Sequence, residues 1–158
     1  MSKNIVVTGT SRGIGYQLVK LFAEAGHKVV ALSRNTKPIE DLNMDNVYSL
    51  SFDITNQDDV DKAAVYIGKK MSTVDVLIHN AGLLIAKPLA LLSVKDFEDV
   101  YKVNVFGVAM LTKALVSLMS RKSHVVTVSS IGGVQGSIKF PGLAAYSSSK
   151  GAVITLSE

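Results

Sequence analysis

A tyrosine and a lysine near the end of the sequence have the spacing of an acid/base pair. In "LAAYSSSKGAV", Tyr146 and Lys150 are four residues apart, so a helix places both side chains on one face. Tyrosine alone is a poor base at neutral pH, but a neighbouring ammonium stabilises its phenolate form. The pair is therefore suited to moving a proton to or from a reacting oxygen. An ordinary surface pair on a helix has the same spacing.

Three glycines interrupt an apolar run in "VVTGTSRGIG" and allow three interpretations. The simplest is a tight turn between a strand and a helix. The second is the G-x-S-x-G turn of α/β-hydrolases with Ser11 as nucleophile. It is disfavoured because the turn follows the first strand and because His27 and His124 fall at predicted strand starts. In the third, the backbone approaches a pyrophosphate at a helix N-terminus. That binding turn would comprise Gly9, Ser11, Arg12, Gly13, Ile14 and Gly15.

The end of the second β-rich run indicates which dinucleotide such a turn would hold. NAD-binding proteins usually carry an acidic residue there for the ribose hydroxyl. This sequence has Ser33 and Arg34 instead, with no acid before Glu40. Because an arginine pairs with a 2′-phosphate, and Arg12 adds a second cation, we expect NADP(H) to be preferred over NAD(H).

Further polar residues follow predicted strands or interrupt a helix. Ser129 and Ser130 end the fifth β-rich run, where a hydroxyl can bind a substrate carbonyl, although serines also cap and turn. "NAG", Asn80 to Gly82, follows the fourth run. Asn104 interrupts an apolar helical stretch, where a buried amide needs hydrogen-bond partners.

The elements that must position these residues alternate between strand and helix, as in a doubly wound α/β fold with a parallel sheet. Predicted strands span 4–8, 28–33, 47–52, 74–78 and 124–129. A first helix has Ile14, Leu18, Leu21, Phe22 and Ala25 as its apolar positions and ends at Gly26. A second begins at Asn56, and a long third begins near Ser93.

Composition places the chain among apolar globular proteins. It has 158 residues, 47% hydrophobic and 19% charged, and we expect one domain over 1–158. The net charge of +4 comes from scattered lysines and arginines, which does not favour nucleic-acid binding. No apolar run approaches the roughly 20 residues of a membrane span. Without cysteine or clustered ligands we expect no metal site, and we expect a cytoplasmic protein that does not bind membranes.

Taken in order, these motifs resemble the short-chain dehydrogenase/reductase (SDR) family. The resemblance rests on the glycine turn after Thr8, Asn80-Ala81-Gly82, Asn104, Ser130 and Tyr146-x-x-x-Lys150. It implies a Rossmann fold with five strands in the order 3-2-1-4-5 and hydride transfer between nicotinamide and a small carbonyl or alcohol substrate. It also implies four catalytic residues: Tyr146 as proton donor or acceptor, Lys150 assisting it and holding the ribose, Ser130 at the carbonyl oxygen, and Asn104 at a relay water.

The resemblance also extends the predicted cofactor site. Asp53 matches the family's adenine-contacting aspartate, with Ile54 beside it, and Asn80, Ala81 and Gly82 line the cofactor. Ser33, Arg34, Tyr146 and Lys150 complete the predicted set.

Two departures from the family pattern bear on function. The interval from Ser130 to Tyr146 is longer than usual, with the extra residues placed in "GSIKFPG", which leaves Ser129 open as the alternative serine. Family members also continue further, so we expect residues 1–158 to be a fragment or the ordered part of a longer product. Expressed alone, we expect these residues to aggregate or self-associate and to show little carbonyl-reductase activity, and we expect the full-length form to be a homo-oligomer. A non-catalytic dinucleotide-binding module is the main alternative, and a Ser11 hydrolase is the third.

Overall fold

Five parallel strands form one sheet in the order β3-β2-β1-β4-β5, as predicted. The structure, a computed structural model, describes residues 2–158. The strands are β1 (Asn4–Thr8), β2 (Lys28–Ser33), β3 (Val47–Ser51), β4 (Val74–His79) and β5 (Met119–Thr127). The helices are α1 (Gly13–Glu24), α2 (Lys37–Glu40), α3 (Gln57–Lys70), α4 (Val94–Tyr101), α5 (Gly107–Leu115) and α6 (Ala144–Ser157).

The two sheet faces are covered by different helices, because alternate strand residues point in opposite directions. On one face, Val6 and Leu77 pack with residues of α3 and α5, including Ile67 and Leu111. On the other, Val7 packs with residues of α1 and its neighbours. This burial on both faces explains why the sequences of the central strands are almost continuously apolar.

The buried face of α1 differs in part from the predicted one. Leu18 and Phe22 are partly buried and pack against the core. Ile14 and Leu21 are exposed, at 61% and 59%, whereas Gly15, Val19 and Ala23 are buried. A Cβ at position 15 would lie only 2.3 Å from the carbonyl oxygen of Gly9. The close contact of Gly15 with the preceding turn therefore fixes the rotation of α1 and turns the small residues inward.

The region between β4 and β5 is one long helical stretch with an irregular centre. A π-helical turn, Lys102–Phe106, joins α4 to α5, and a 3₁₀ turn, Val116–Leu118, follows. Residues 94–118 reach the length and hydropathy of a membrane span, contrary to the sequence expectation. Val100, Leu111 and Leu115 are fully buried against the rest of the fold, while Val94, Phe106 and Val116 are exposed. Burial therefore accounts for only part of that apolar character.

Strand boundaries differ most at β5. The strand begins at Met119 and ends at Thr127, whereas 124–129 was predicted. An irregularity between Val74 and Val76 lets β4 pair with Met119 and again with His124. Ser129 and Ser130 consequently follow the strand rather than end it, and His124 lies within the strand rather than at its start. β3 ends at Ser51, one residue early, and β4 includes His79.

Candidate active site

Two glycines in the turn from β1 to α1, Gly9 and Gly13, have left-handed backbone conformations but different surroundings. Gly9 and Gly13 have positive φ angles of 71° and 59°, which favour glycine. A Cβ at Gly9 would lie 2.7 Å from the Cα of Ala81, so this glycine allows close packing between two loops. A Cβ at Gly13 would meet nothing within 4 Å. Gly13 thus leaves open space where α1 begins.

The N-terminus of α1 lacks a side-chain cap. Its N-cap residue is Arg12, whose side chain makes no capping hydrogen bond. In α3 and α4, by contrast, Asn56 and Ser93 accept a hydrogen bond from a backbone N–H of the first turn. The first N–H groups of α1 and its positive dipole end are therefore suited to an anion supplied from outside.

A cleft of about 850 Å³, here called the glycine-turn cleft, opens at the carboxyl ends of β1, β2 and β4. Its volume is in the range of pockets that hold cofactors. The predicted residues lining it are Gly9, Ser11, Arg12, Gly13, Ile14, Ser33, Arg34, Asp53, Ile54, Asn80, Ala81 and Gly82. The predicted Gly15, Tyr146 and Lys150 are not among its lining residues, whereas Asn35, Asp99 and Lys102, which were not predicted, are.

Arg12 and Arg34 give the glycine-turn cleft its positive charge. Both are exposed, and neither forms an ion pair within residues 2–158. Ser33 is buried and donates its hydroxyl proton to the carbonyl of Asn35. Hydrogen bonds from Thr55, chiefly its backbone N–H, lower the pKa of Asp53, with a smaller contribution from the charge of Arg34. One fixed anion thus lies near Arg34 at this end of the cleft.

Thr8 ties the glycine turn to the loop after β4 and was missed as a site residue. Its hydroxyl oxygen accepts hydrogen bonds from the N–H groups of Asn80 and Ala81, at 3.1 and 3.0 Å. The Asn80 amide donates in return to the carbonyls of Thr8 and Gly9, both at 3.0 Å. The sequence signal for this role was the place of Thr8 directly before Gly9 in the glycine-turn motif.

Tyr146 and Lys150 lie on α6 as predicted, with the ammonium 5.8 Å from the centre of the phenol ring. Lys150 is only 5% exposed, and its Nζ donates to the carbonyl of Val128 at 2.6 Å. Burial lowers the pKa of this lysine. A Cβ at Gly82 would lie 3.7 Å from the same Nζ, so the lysine adjoins the glycine-turn cleft.

The two candidate serines make different hydrogen bonds. Ser129 donates its hydroxyl proton to the carbonyl of Lys150 at 2.9 Å, which commits it to holding α6. Ser130 accepts from the N–H of Gly132 at 3.2 Å. Within the described residues the Ser130 proton has no acceptor, so it can be donated to a ligand. The geometry favours Ser130, as the resemblance implied.

Asn104 lies in the π-helical turn, 1% exposed, and both N–H groups of its amide are engaged. It accepts from the N–H of Leu83 at 2.8 Å and donates to the carbonyl of Leu83 and the hydroxyl of Ser149, both at 2.9 Å. The side chain therefore joins the loop after β4 to α6. Ser149 was not predicted, and its role is visible only from this contact.

The serine-hydrolase hypothesis lacks its histidine. His27 accepts a hydrogen bond from the N–H of Lys3, at the amino ends of the strands and away from Ser11. The His79 ring is buried and bonded to Thr112 on α5. His124 pairs with Val76 within β5. None of the three is placed to activate Ser11.

Comparisons with known proteins bear on the family and the fold of the chain. The family model described as short chain dehydrogenase matches residues 3–158. A 3-ketodihydrosphingosine reductase of Bacteroides thetaiotaomicron is 38% identical, over 98% of this chain and 55% of its own length. An alcohol dehydrogenase structure from Thermococcus sibiricus, complexed with 5-hydroxy-NADP, has a TM-score of 0.89 at 26% identity and covers 99% of this chain and 68% of its own.

A 3-ketoacyl-(acyl-carrier-protein) reductase from Brucella melitensis, complexed with NADH, also has a TM-score of 0.89, at 29% identity over 98% of this chain and 66% of its own. The chain spans about half the length of the curated relatives it matches, 48% and 55% for the first two. Across that length the fold, the order of the motifs and the family match agree. The chain belongs to the short-chain dehydrogenase family.

Proposed function

We propose that the protein is an NADP(H)-dependent oxidoreductase that interconverts a carbonyl compound and its alcohol. The observation that carries this proposal is the buried Lys150 ammonium beside Tyr146, adjoining the glycine-turn cleft at Gly82. An acid/base pair thus adjoins a cleft that fits a dinucleotide. The uncapped start of α1 and the open space at Gly13 supply the features that a pyrophosphate needs.

A nicotinamide cofactor held by the glycine-turn cleft would supply hydride to the carbonyl carbon. In the reducing direction, Tyr146 gives its phenolic proton to the carbonyl oxygen. The Tyr146 phenolate that remains is stabilised by Lys150. Because Lys150 is almost wholly buried, its charge is screened less than that of a surface lysine. Ser130 donates its free proton to the same substrate oxygen, where negative charge develops.

The remaining residues hold these groups in place. The Val128 carbonyl fixes one of the three ammonium protons of Lys150, which leaves two for the phenol and for a ribose hydroxyl. Asn104 holds Leu83 against Ser149 and thereby fixes the loop after β4 beside α6. Its predicted contact with a relay water remains part of this proposal.

The preference for NADP(H) rests on charge at the end of β2. Arg34 and Arg12 line the same cleft, are exposed and are not paired with acids in the described part of the chain. Arg34 follows Ser33, where NAD-binding proteins usually place a carboxylate that would repel a 2′-phosphate. Two such cations favour the cofactor that carries this additional phosphate.

Transfer of deuterium tests the proposal directly. The protein is incubated with NADPH deuterated at the reactive C4 position and with a panel of ketones and aldehydes. Mass spectrometry of the alcohol products should show one deuterium at the former carbonyl carbon, with faster transfer from NADPH than from NADH. Tight NADPH binding without any deuterium transfer would instead support the non-catalytic dinucleotide-binding module.

A further inference from the structure

Two connecting segments leave the sheet beside the catalytic groups. The 83–93 segment follows Gly82, which adjoins Lys150. The 131–143 segment follows Ser130 and ends at Leu143, the N-cap of the helix that carries Tyr146. The two segments therefore flank the place where the proposed reaction occurs.

Lys87 holds these two segments together through its main chain. Its N–H donates to the carbonyl of Gly142 at 2.9 Å. Gly142 has a φ of 78°, and a Cβ there would lie 3.6 Å from the Lys87 carbonyl oxygen. The contact is therefore close, and the position of one segment depends on that of the other.

The side chain of Lys87 fixes the same segment to α4. Its Nζ lies 2.6 Å from one carboxylate oxygen of Asp96. The other oxygen accepts from the N–H and the hydroxyl of Ser93, at 2.9 and 2.8 Å. The Asp96 side chain is only 12% exposed, and hydrogen bonds from Lys87 and Ser93 lower its pKa to about 2. Exposed pairs such as Lys37–Asp41 join neighbouring turns of one helix, whereas this pair joins a loop to α4.

The spacing of the two segments also determines the shape of an apolar groove. This groove, about 610 Å³ in volume, is lined by Leu89 from the first segment and by Val134 and Phe140 from the second. Gly132, whose N–H donates to Ser130, lines it as well. The groove thus begins next to the serine that is proposed to bind the substrate oxygen.

We infer that Lys87 is a positioning residue for the substrate, because its N–H and its ammonium together fix the separation of the 83–93 and 131–143 segments. The inference rests on the proposed function. Lys87 is not among the residues that line the glycine-turn cleft. Its loss should therefore raise the substrate KM while leaving cofactor affinity unchanged.

The test compares Lys87→Met and Lys87→Arg with the matched control Lys37→Met, which removes one exposed, ion-paired lysine elsewhere. Since small displacements in a site have large kinetic effects, Lys87→Met should raise the substrate KM about tenfold. Its NADPH Kd and its kcat should stay near the wild-type values. Lys87→Arg, which retains the charge, should restore much of the wild-type KM. In Lys87→Met, hydrogen–deuterium exchange should quicken at residue 87, whose N–H donates to the carbonyl of Gly142.

Lys37→Met should change neither KM nor exchange in these segments. A Lys87→Met protein with wild-type KM overturns the inference, whether or not exchange is faster. An equal loss of NADPH affinity also overturns it, since the lysine would then act on the whole site. If the wild-type protein transfers no hydride to any carbonyl, the proposed function itself fails and the inference fails with it. The wild-type measurement thus separates the two failures.

Discussion

The two sides of the site offer different parts of the chain to a ligand. On the glycine-turn side, main-chain groups are suited to an anion, at the left-handed Gly9 and Gly13 and at the uncapped start of α1. On the α6 side, the candidate groups are side chains with hydrogen-bond partners of their own: Asn104 binds Ser149, and Lys150 binds a carbonyl just beyond β5. Substitutions on the first side should therefore change binding, and substitutions on the second should change the rate.

The largest expected effect is on the α6 side, at Tyr146. Tyr146→Phe removes the proposed proton donor, and loss of a general acid typically lowers the rate by about 10²–10⁴-fold. NADPH affinity should change little, because the hydroxyl acts chiefly in the transition state. Steady-state kinetics and a fluorescence titration of NADPH measure the two effects separately.

Tyr48→Phe is the matched control, since Tyr48 lies on β3 beside Lys70, away from α6. It should retain wild-type turnover. Wild-type turnover in Tyr146→Phe would show that Tyr146 is not the proton donor. It would also contradict the expectation that substitutions on the α6 side change the rate.

The next largest expected effect is the difference in kcat between alanine substitutions of the adjacent serines, Ser129 and Ser130. Ser130→Ala removes the proposed donor to the developing oxyanion and should lower kcat by about 10²-fold. Ser129→Ala removes the hydrogen bond to the Lys150 carbonyl and should reduce the free energy of unfolding by about 1 kcal/mol, with a smaller effect on kcat. Kinetics and urea unfolding of both variants test this assignment. The reverse pattern would make Ser129 the catalytic serine.

Some strands and contacts could be predicted from the sequence, and others could not. Apolar β-branched residues such as Val6 and Val30 identify the central strands, because both sheet faces are buried there. The start of β5 was missed because "MSRKS" has one apolar residue followed by four polar ones, and its pairing with β4 depends on an irregularity in the partner strand. The Lys150 contact was also missed, since its acceptor is a backbone carbonyl, which every residue has.

On the glycine-turn side, Arg34→Ala should weaken binding and leave catalysis intact. Loss of hydrogen bonds to a charged phosphate should cost about 1.5–3 kcal/mol of NADPH binding and little of NADH binding. The difference should diminish at high salt, because Arg34 is exposed. Calorimetric titration of both cofactors provides the measurement. Lys37→Ala, which removes a nearby exposed cation already paired with Asp41, is the control. Equal affinities of the wild-type protein for NADPH and NADH would contradict the proposed preference.

His79 lies between the two sides, and its predicted effect is on the pH dependence of stability rather than on binding or rate. Its ring is 1% exposed, and Nε2 lies 2.8 Å from the Thr112 hydroxyl, which donates to the Val108 carbonyl. Nε2 is therefore the protonated nitrogen, while Nδ1 has no partner within residues 2–158. Its backbone carbonyl accepts from Val128 N–H, so the residue helps to hold the end of β5. Burial lowers the pKa of His79 to about 4.

Since the pKa of histidine in an unfolded chain is about 6.5, the unfolded state of this protein takes up the proton first as pH falls. The contribution of His79 to stability is therefore complete above that pKa and declines as pH falls toward the folded value of about 4. Between pH 7 and pH 4.5 the linkage amounts to about 2 kcal/mol. Urea unfolding at both pH values should show this loss in the wild-type protein and not in His79→Gln, while contributions from other titrating groups cancel in the comparison. His124→Gln, on an exposed histidine, should retain the wild-type loss. If His79→Gln lost as much stability as the wild-type protein between pH 7 and pH 4.5, the acid sensitivity would arise from groups other than His79.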